Sequence, residues 1–423
     1  SSRLANTLRI DDAVACHAAE VHSHRRPRGD QESRPRRIFA PYPFAELARL
    51  KQQALADGVH LLDFGIGDPD QPTPAPIIDA LCAAARDPET HRYDESTYGP
   101  PEFLSAVASW FQSRFGVRLD TDGQIKLTIG AKEALAHLVW AYVDPGDLVL
   151  VPDPRYAVYS VSTKFAGGSI YEMPLLESNG FLVDYDAIPG DVADRAKMLF
   201  INYPHNPTGA CADLAFFRRT IEFAKEHSVI VCHDAAYSEV YFEGRKAPSI
   251  LQVDGAMDCA IEIHSLSKTY NMTGWRLGFA VGCSELVGGL TKLKSNVDSN
   301  AFPAVARAGA AALSGPQDSV DRMRALIQQR RDWLVDGLRS LGWPVRKPDG
   351  TFYIWAPVAR GYTSADFAAL LLRDAGMLVT PGSAYGSHGE GYIRLSLTIQ
   401  ADDVQRYIAE AVERVGRLGL RWD

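Results

Sequence analysis

The sequence predicts an α/β fold: a three-layer large domain around a mostly parallel sheet, with a smaller α+β domain beside it. Three observations predict it. The chain has 423 residues, enough for a large core and two domains. From about Gln124, short apolar runs alternate with amphipathic helical stretches, the pattern of parallel strands covered by helices on both faces. After about Ser295 that alternation gives way to a long helical stretch and then to mixed elements.

The elements follow in chain order. Residues 1–37 read as a flexible arm, because the stretches His22–Arg28 and Arg34–Arg37 are basic and broken by proline. A sharper reading has the arm crossing to a partner subunit or closing over a site. The runs Ile125–Ile129, Leu148–Val151, Met198–Ile201, Val229–Cys232, Ala260–His264 and Leu277–Gly282 are too short for helices and read as strands. Glu133–Leu138 and Phe216–Glu226 read as helices between them. Then come a helix over Met323–Leu341 and a strand pair, Val345–Lys347 with Thr351–Trp355. A helix over Ala365–Ala375, a strand over Tyr392–Leu397 and a last helix over Ala401–Leu418 complete the series.

Composition narrows the function. Hydrophobic content is 46% and charged content 23%, ordinary for a globular chain. A net charge of −8 argues against nucleic-acid binding. The six cysteines, Cys16, Cys82, Cys211, Cys232, Cys259 and Cys283, lack paired spacing, so no metal site is expected. Reduced, mostly buried thiols in a cytoplasmic enzyme fit better than a disulfide framework. No apolar stretch approaches a membrane span, and residues 1–37 carry no signal-peptide pattern.

The densest chemistry lies in Ser265–Gly278, directly after the apolar run Ala260–His264. Lys268 sits where a strand gives way to a loop, with Ser265, Ser267 and Thr269 around it and Arg276 eight residues on. An amine so placed can form an imine with an aldehyde cofactor, while hydroxyls and a guanidinium hold that cofactor's phosphate. The run resembles the lysine signature of fold-type I pyridoxal 5'-phosphate (PLP) enzymes, the class I/II aminotransferases. The resemblance extends from about Phe39 to about Leu418. It is nearest to LL-diaminopimelate aminotransferases, through Phe64–Asp70, Val231–Ser238 and Lys294–Asp298. It implies that residues 38–72 join a small domain completed by 311–423, with 73–310 forming the large PLP-binding domain. Pro72, Pro74 and Pro76 would mark the crossing.

Carried over residue by residue, the resemblance implies a site at the carboxyl ends of the strands. Lys268 is the Schiff-base lysine. Asp234 closes an apolar run and would pair with the cofactor's ring nitrogen; alone it would more often be structural, a helix N-cap or a loop acid. Tyr237 would donate to the phenolic oxygen, as would Asn206 from its Asn-Pro turn. Gly130, Ala131 and Lys132 open a helix whose amides would cradle the phosphate, joined by Ser265, Ser267 and Arg276. Tyr156 would stack on the ring. Tyr93 would reach the phosphate of a partner subunit in a homodimer, with Tyr98 competing for that role. Arg394 on a strand would grip the substrate's α-carboxylate as a planar fork. Gly67 would give close backbone approach beside it, and Asn206 and Tyr156 would also meet the substrate.

The expected reaction is amino transfer between an amino acid and a 2-oxo acid. An alternative keeps PLP but eliminates or replaces a γ-substituent, as in 1-aminocyclopropane-1-carboxylate synthesis from S-adenosylmethionine. Arg155, His205, Asn300 and the Tyr93–Gly99 loop depart from the diaminopimelate pattern, and most are expected to face the substrate. A regulator carrying a DNA-binding domain is disfavoured, because the basic arm is too short for one.

Overall fold

The computed structural model describes residues 43–422; the arm at 1–37 lies outside them. The large sheet contains β2 (Ile125–Thr128), β3 (Leu148–Asp153), β4 (Ser169–Pro174), β5 (Ala196–Asn202), β6 (Ile230–Asp234), β7 (Ala260–Ser265) and β8 (Gly278–Gly282). Their order is β2-β8-β7-β6-β5-β3-β4. The ladders β4/β3/β5/β6/β7 are parallel, and β8 runs antiparallel to both β7 and β2. Every residue of β3, β7 and β8 is buried, as in strands covered on both faces. The edge strand β4 is less covered, with only Met173 buried.

Helices cover both faces. On one, α4 (Ala131–Tyr142), α5 (Val158–Ala166) and α7 (Ser284–Val297) enclose Leu135, Leu138, Ile261, Ile263 and Leu290. On the other, α2 (Ala75–Ala85), α3 (Pro101–Phe115), α6 (Leu214–His227) and α8 (Pro303–Ser314) enclose Phe103, Phe111, Leu199, Phe217 and Ala308. Helix α6 illustrates how sequence sets a boundary. Asp213 caps its start by accepting from Phe216 N at 2.8 Å, Lys225 and His227 occupy its last turn, and Ser228 ends it at φ 55°.

The remaining elements are α1 (Pro43–Ala56), β1 (Leu62–Asp63), α9 (Asp318–Ser340), β9 (Tyr353–Pro357), α10 (Ser364–Ala375), β10 (Met377–Leu378), β11 (Thr380–Pro381), β12 (Tyr392–Ser396) and α11 (Val404–Gly416). All but α1 and β11 contribute buried residues to a separate core. β11, β12 and β9 form an antiparallel sheet, and β1 pairs in parallel with β10. Leu62, Phe64, Ile327, Leu334, Phe367 and Ile408 are buried together there.

Two expectations need correction. Val345–Lys347 is not a strand: Arg339 Nε takes the Val345 carbonyl at 2.8 Å, and Trp343 anchors the segment through Nε1 to Pro357 O at 2.7 Å. Its intended partner begins at Tyr353, because Thr351 adopts φ 67° and its amide bonds instead to Val240 O at 2.8 Å. The thiols are also less buried than expected. Among the described cysteines, Cys232 and Cys283 are buried, Cys211 and Cys259 half-buried and Cys82 exposed; all are free. Among the described residues, no helix is long and apolar enough to cross a membrane.

Candidate active site

A cavity of about 360 Å³ opens beyond the carboxyl ends of β6 and β7. Strand β7 ends at Ser265, whose side chain caps the one-turn helix Leu266–Thr269. That turn projects Lys268 into the cavity, where Nζ donates to Gly67 O at 3.1 Å. Burial pulls the Lys268 ammonium below the ordinary lysine range.

Asp234, the last residue of β6, lies on the cavity wall and is buried. Tyr159 donates to its Oδ2 at 2.7 Å, and Ala236 N donates to Oδ1 at 3.2 Å. Burial pushes the Asp234 carboxyl up, against the Tyr159 hydrogen bond that pulls it down. Tyr237 follows on the same wall, its hydroxyl 3.0 Å from that of Tyr353. Burial, then the neighbouring Tyr353, pushes the Tyr237 phenol well up, so it stays a proton donor.

Arg394 enters from β12 and is 2% exposed. It donates to Asn206 Oδ1 at 3.1 Å and to Gly65 O at 2.9 Å. With its oxygen engaged by Arg394, the Asn206 amide has its NH₂ as the group to present elsewhere. The segment Gly65–Asp70 forms a strap between Arg394 and Lys268. Thr380 and Thr398 hold its carbonyls at Gly65 and Ile66, at 3.0 and 3.1 Å. Arg330 grips Asp70 through two bonds of 2.8 Å. Gly67 must lack a side chain, because a Cβ there would overlap Tyr353 Oη.

The remaining corner is built for an anion. Ala131 and Lys132 start α4 at the cavity wall, beside Ser265, Ser267 and Arg276. Burial, then the neighbouring Arg276 charge, pulls the Lys132 ammonium down. Gly130 caps α4 at φ 80°, and a Cβ there would overlap the Arg276 guanidinium. Ser267 Oγ is buried with no hydrogen-bond partner among the described residues, a donor awaiting an acceptor.

This chemistry agrees with relationships at the level of the whole chain. Residues 59–412 match the family described as aminotransferase class I and II. The chain belongs to the class I and II aminotransferases. It is 53% identical over 388 residues to the LL-diaminopimelate aminotransferase of Moorella thermoacetica, covering 92% of this chain and 98% of that one. Against the enzyme of the same name from Aquifex aeolicus, identity is 49% over 384 residues, covering 91% and 98%. Among solved structures, substrate-bound BacF from Bacillus subtilis superposes with a TM-score of 0.88 at 34% identity, covering 93% of this chain and 99% of that one. A Thermus thermophilus aspartate aminotransferase double mutant gives 0.83 at 27% identity, covering 92% and 99%.

Aminotransferases of this class use PLP, and the residues of this aminotransferase fit it. A helix N-terminus, the unpartnered Ser267 hydroxyl and Arg276 suit a phosphate. The buried Asp234 suits a protonated ring nitrogen. The cavity brings together Gly67, Ala131, Lys132, Tyr156, Asn206, Asp234, Tyr237, Ser265, Ser267, Lys268, Arg276 and Arg394.

Gly130 stands behind the cavity rather than on its wall. Tyr93 is 86% exposed and lines a separate groove with Asn300, Phe302 and Arg307. The expectation that most of the unusual residues face substrate needs correction, because none of Arg155, His205, Asn300 and the Tyr93–Gly99 loop lines this cavity. His205 is wholly buried against Thr208, and Arg155 is engaged with Asp153 and Glu172; neither lines the cavity. Sequence reasoning missed Asp68, Thr273 and Tyr353 on the wall, and Tyr159 behind Asp234. Tyr353 carried one legible signal, a polar-tipped ring alternating with Trp355 on one face of a strand.

Proposed function

We propose that this aminotransferase moves the amino group of LL-diaminopimelate, or a close dicarboxylic diamino acid, to a 2-oxo acid. Convergence of Lys268, Asp234 and Arg394 on one cavity carries the chemistry. Identity of 53% to a relative of that name supports the substrate. When bound, PLP supplies an aldehyde for the substrate amine and an electron sink for its α-carbon. Lys268 holds the cofactor and then takes the α-proton on Nζ, a task suited to an amine whose pKa burial has lowered. Arg394 grips the α-carboxylate and orients the Cα–H bond. Asp234, held by the Tyr159 hydroxyl, would pair with the cofactor's ring nitrogen, whose positive charge would favour the carboxylate against the upward push of burial. Tyr237 and the Asn206 amide would donate to the phenolic oxygen, Tyr156 would stack on the ring, and Ala131, Lys132, Ser265, Ser267 and Arg276 would hold the phosphate.

We also propose a cytoplasmic homodimer. Its second copy would cover the groove of about 1130 Å³ lined by Tyr93, Asn300, Phe302 and Arg307, with Tyr93 or Tyr98 serving the partner's site. Residues 38–72 and 311–423 form the small domain of this reading, and 73–310 the large one. Pairing of β1 with β10 supports the division.

A half-reaction tests the proposal. Enzyme, PLP and LL-diaminopimelate without acceptor should give stoichiometric 2-oxo acid and aminated cofactor. Continuous turnover without an acceptor would instead indicate elimination or replacement. Sedimentation at two protein concentrations checks the dimer.

A further inference from the structure

Tyr353 was not among the expected site residues, yet it touches both halves of the site. It opens β9, is 3% exposed and is fixed by its amide bond to Thr351 Oγ1 at 3.1 Å. Its hydroxyl lies 3.0 Å from that of Tyr237, and its ring meets the Tyr237 ring edge-on at 5.8 Å. Its ring face takes the Arg394 guanidinium at 4.0 Å from the centroid. Tyr385 stands 5.0 Å from the same guanidinium. Antiparallel register explains the meeting: Arg394 pairs with Trp355 and Ser396 with Tyr353, so Arg394 and Tyr353 are diagonal neighbours on one face.

We propose that Tyr353 is a positioning residue that aims the Tyr237 hydroxyl at the cofactor and holds the Arg394 fork for the carboxylate. The inference rests on the roles proposed above for Tyr237 and Arg394. A phenol has one proton. If Tyr237 gives its proton to the phenolic oxygen of the cofactor, Tyr353 must be the donor within the pair. A hydroxyl that accepts one hydrogen bond donates a stronger one. Without Tyr353 Oη, Tyr237 is free to rotate and donates more weakly. More negative charge then stays on the phenolic oxygen, and the neighbouring imine proton is held more tightly. The ring acts separately, because a guanidinium flat on an aromatic face is oriented as well as attracted.

Two variants separate these effects. Tyr353→Phe keeps the ring, and Tyr353→Leu removes it. In the PLP-loaded enzyme, absorbance of the Lys268-linked chromophore is titrated against pH. Tyr353→Phe should raise the midpoint by about 0.4–1 pH unit, one neutral hydrogen bond's worth, with the amino-acid KM within about twofold of the parent. Tyr353→Leu should also raise that KM by about 2–30-fold. An unchanged midpoint in Tyr353→Phe would overturn the proposal while leaving the function proposed above intact, since the chromophore would still be on Lys268. An unchanged KM in a folded Tyr353→Leu would overturn the Arg394 half; should that variant not fold, the Tyr353→Phe titration still decides. A parent chain that forms no chromophore would overturn this proposal together with the proposed function.

Discussion

The two walls of the cavity are built differently. The sheet-side wall takes Asp234 from the end of β6 and Ser265, Ser267 and Lys268 from the end of β7, two adjacent parallel strands. Its groups sit on rigid elements, and backbone capping and one phenol hold them. The strap-side wall brings Arg394 from β12 onto Gly65, 329 residues away in sequence, and Arg330 onto Asp70, 260 residues away. Lys268 and Arg394 both rest on carbonyls of this strap. One wall is therefore a preset chemical surface, while the other is a clasp held by long-range polar contacts. The contrast predicts that damage to the first lowers kcat, whereas damage to the second raises KM or lowers stability.

The largest expected effect is at Lys268. Lys268→Ala should abolish the imine chromophore and lower kcat by at least about 10⁴-fold, through loss of the base and of the covalent anchor. A retained chromophore with near-parental turnover would remove Lys268 from its role. Next comes the strap anchor. Asp70→Asn leaves the buried Arg330 charge without its carboxylate. It should cost about 3–5 kcal/mol in denaturant unfolding, as breaking one partner of a buried pair does. Less than about 1 kcal/mol would mean that water or another group compensates.

Asp234→Asn keeps the shape but removes the charge proposed to pair with the ring nitrogen. It should lower kcat by about 10²–10³-fold with little change in KM, in line with loss of one preorganised electrostatic group. A pure KM effect would move Asp234 to the other wall of the comparison. Arg394→Lys replaces a fork by a point charge. It should raise the amino-acid KM by about 10–100-fold, the worth of a charge-assisted hydrogen bond, while the chromophore persists.

The smallest effect is a pH dependence of stability beneath the sheet-side wall. Burial would raise the Glu262 carboxyl, but hydrogen bonds from His233 at 3.0 Å and His264 at 2.6 Å outweigh it and hold Glu262 well below the ordinary carboxylate range. A carboxylate depressed on folding contributes stability above its unfolded value and loses it as pH falls towards the folded one. Unfolding free energy should therefore decline from about pH 5 towards about pH 2, and less steeply in Glu262→Gln. Identical slopes in parent and variant would contradict this.

How far the sequence could be read follows the same division. Lys268, Ser265, Ser267 and Arg276 fall within twelve residues, and Asp234 and Tyr237 within four, so local patterning carried them. The parallel sheet was legible because its central strands are buried and carry short apolar runs, such as Leu148–Val151 of β3. Tyr159 was not legible: it meets Asp234 across 75 residues, and nothing near it in sequence marks the contact. Tyr353 depends on a register between strands and on Tyr237, 116 residues away. Val345–Lys347 misled because its apolar content serves a plug beneath Trp343 instead of a ladder. Arg155 and His205 looked like substrate contacts by chain position, but their side chains turn into neighbouring structure.

The most direct test is to load the purified chain with PLP, reduce it with borohydride and map the modified peptide by mass. One cofactor per chain, fixed on Lys268, is the expected result. Stable attachment at Lys132 instead, or no attachment at saturating PLP, would contradict it.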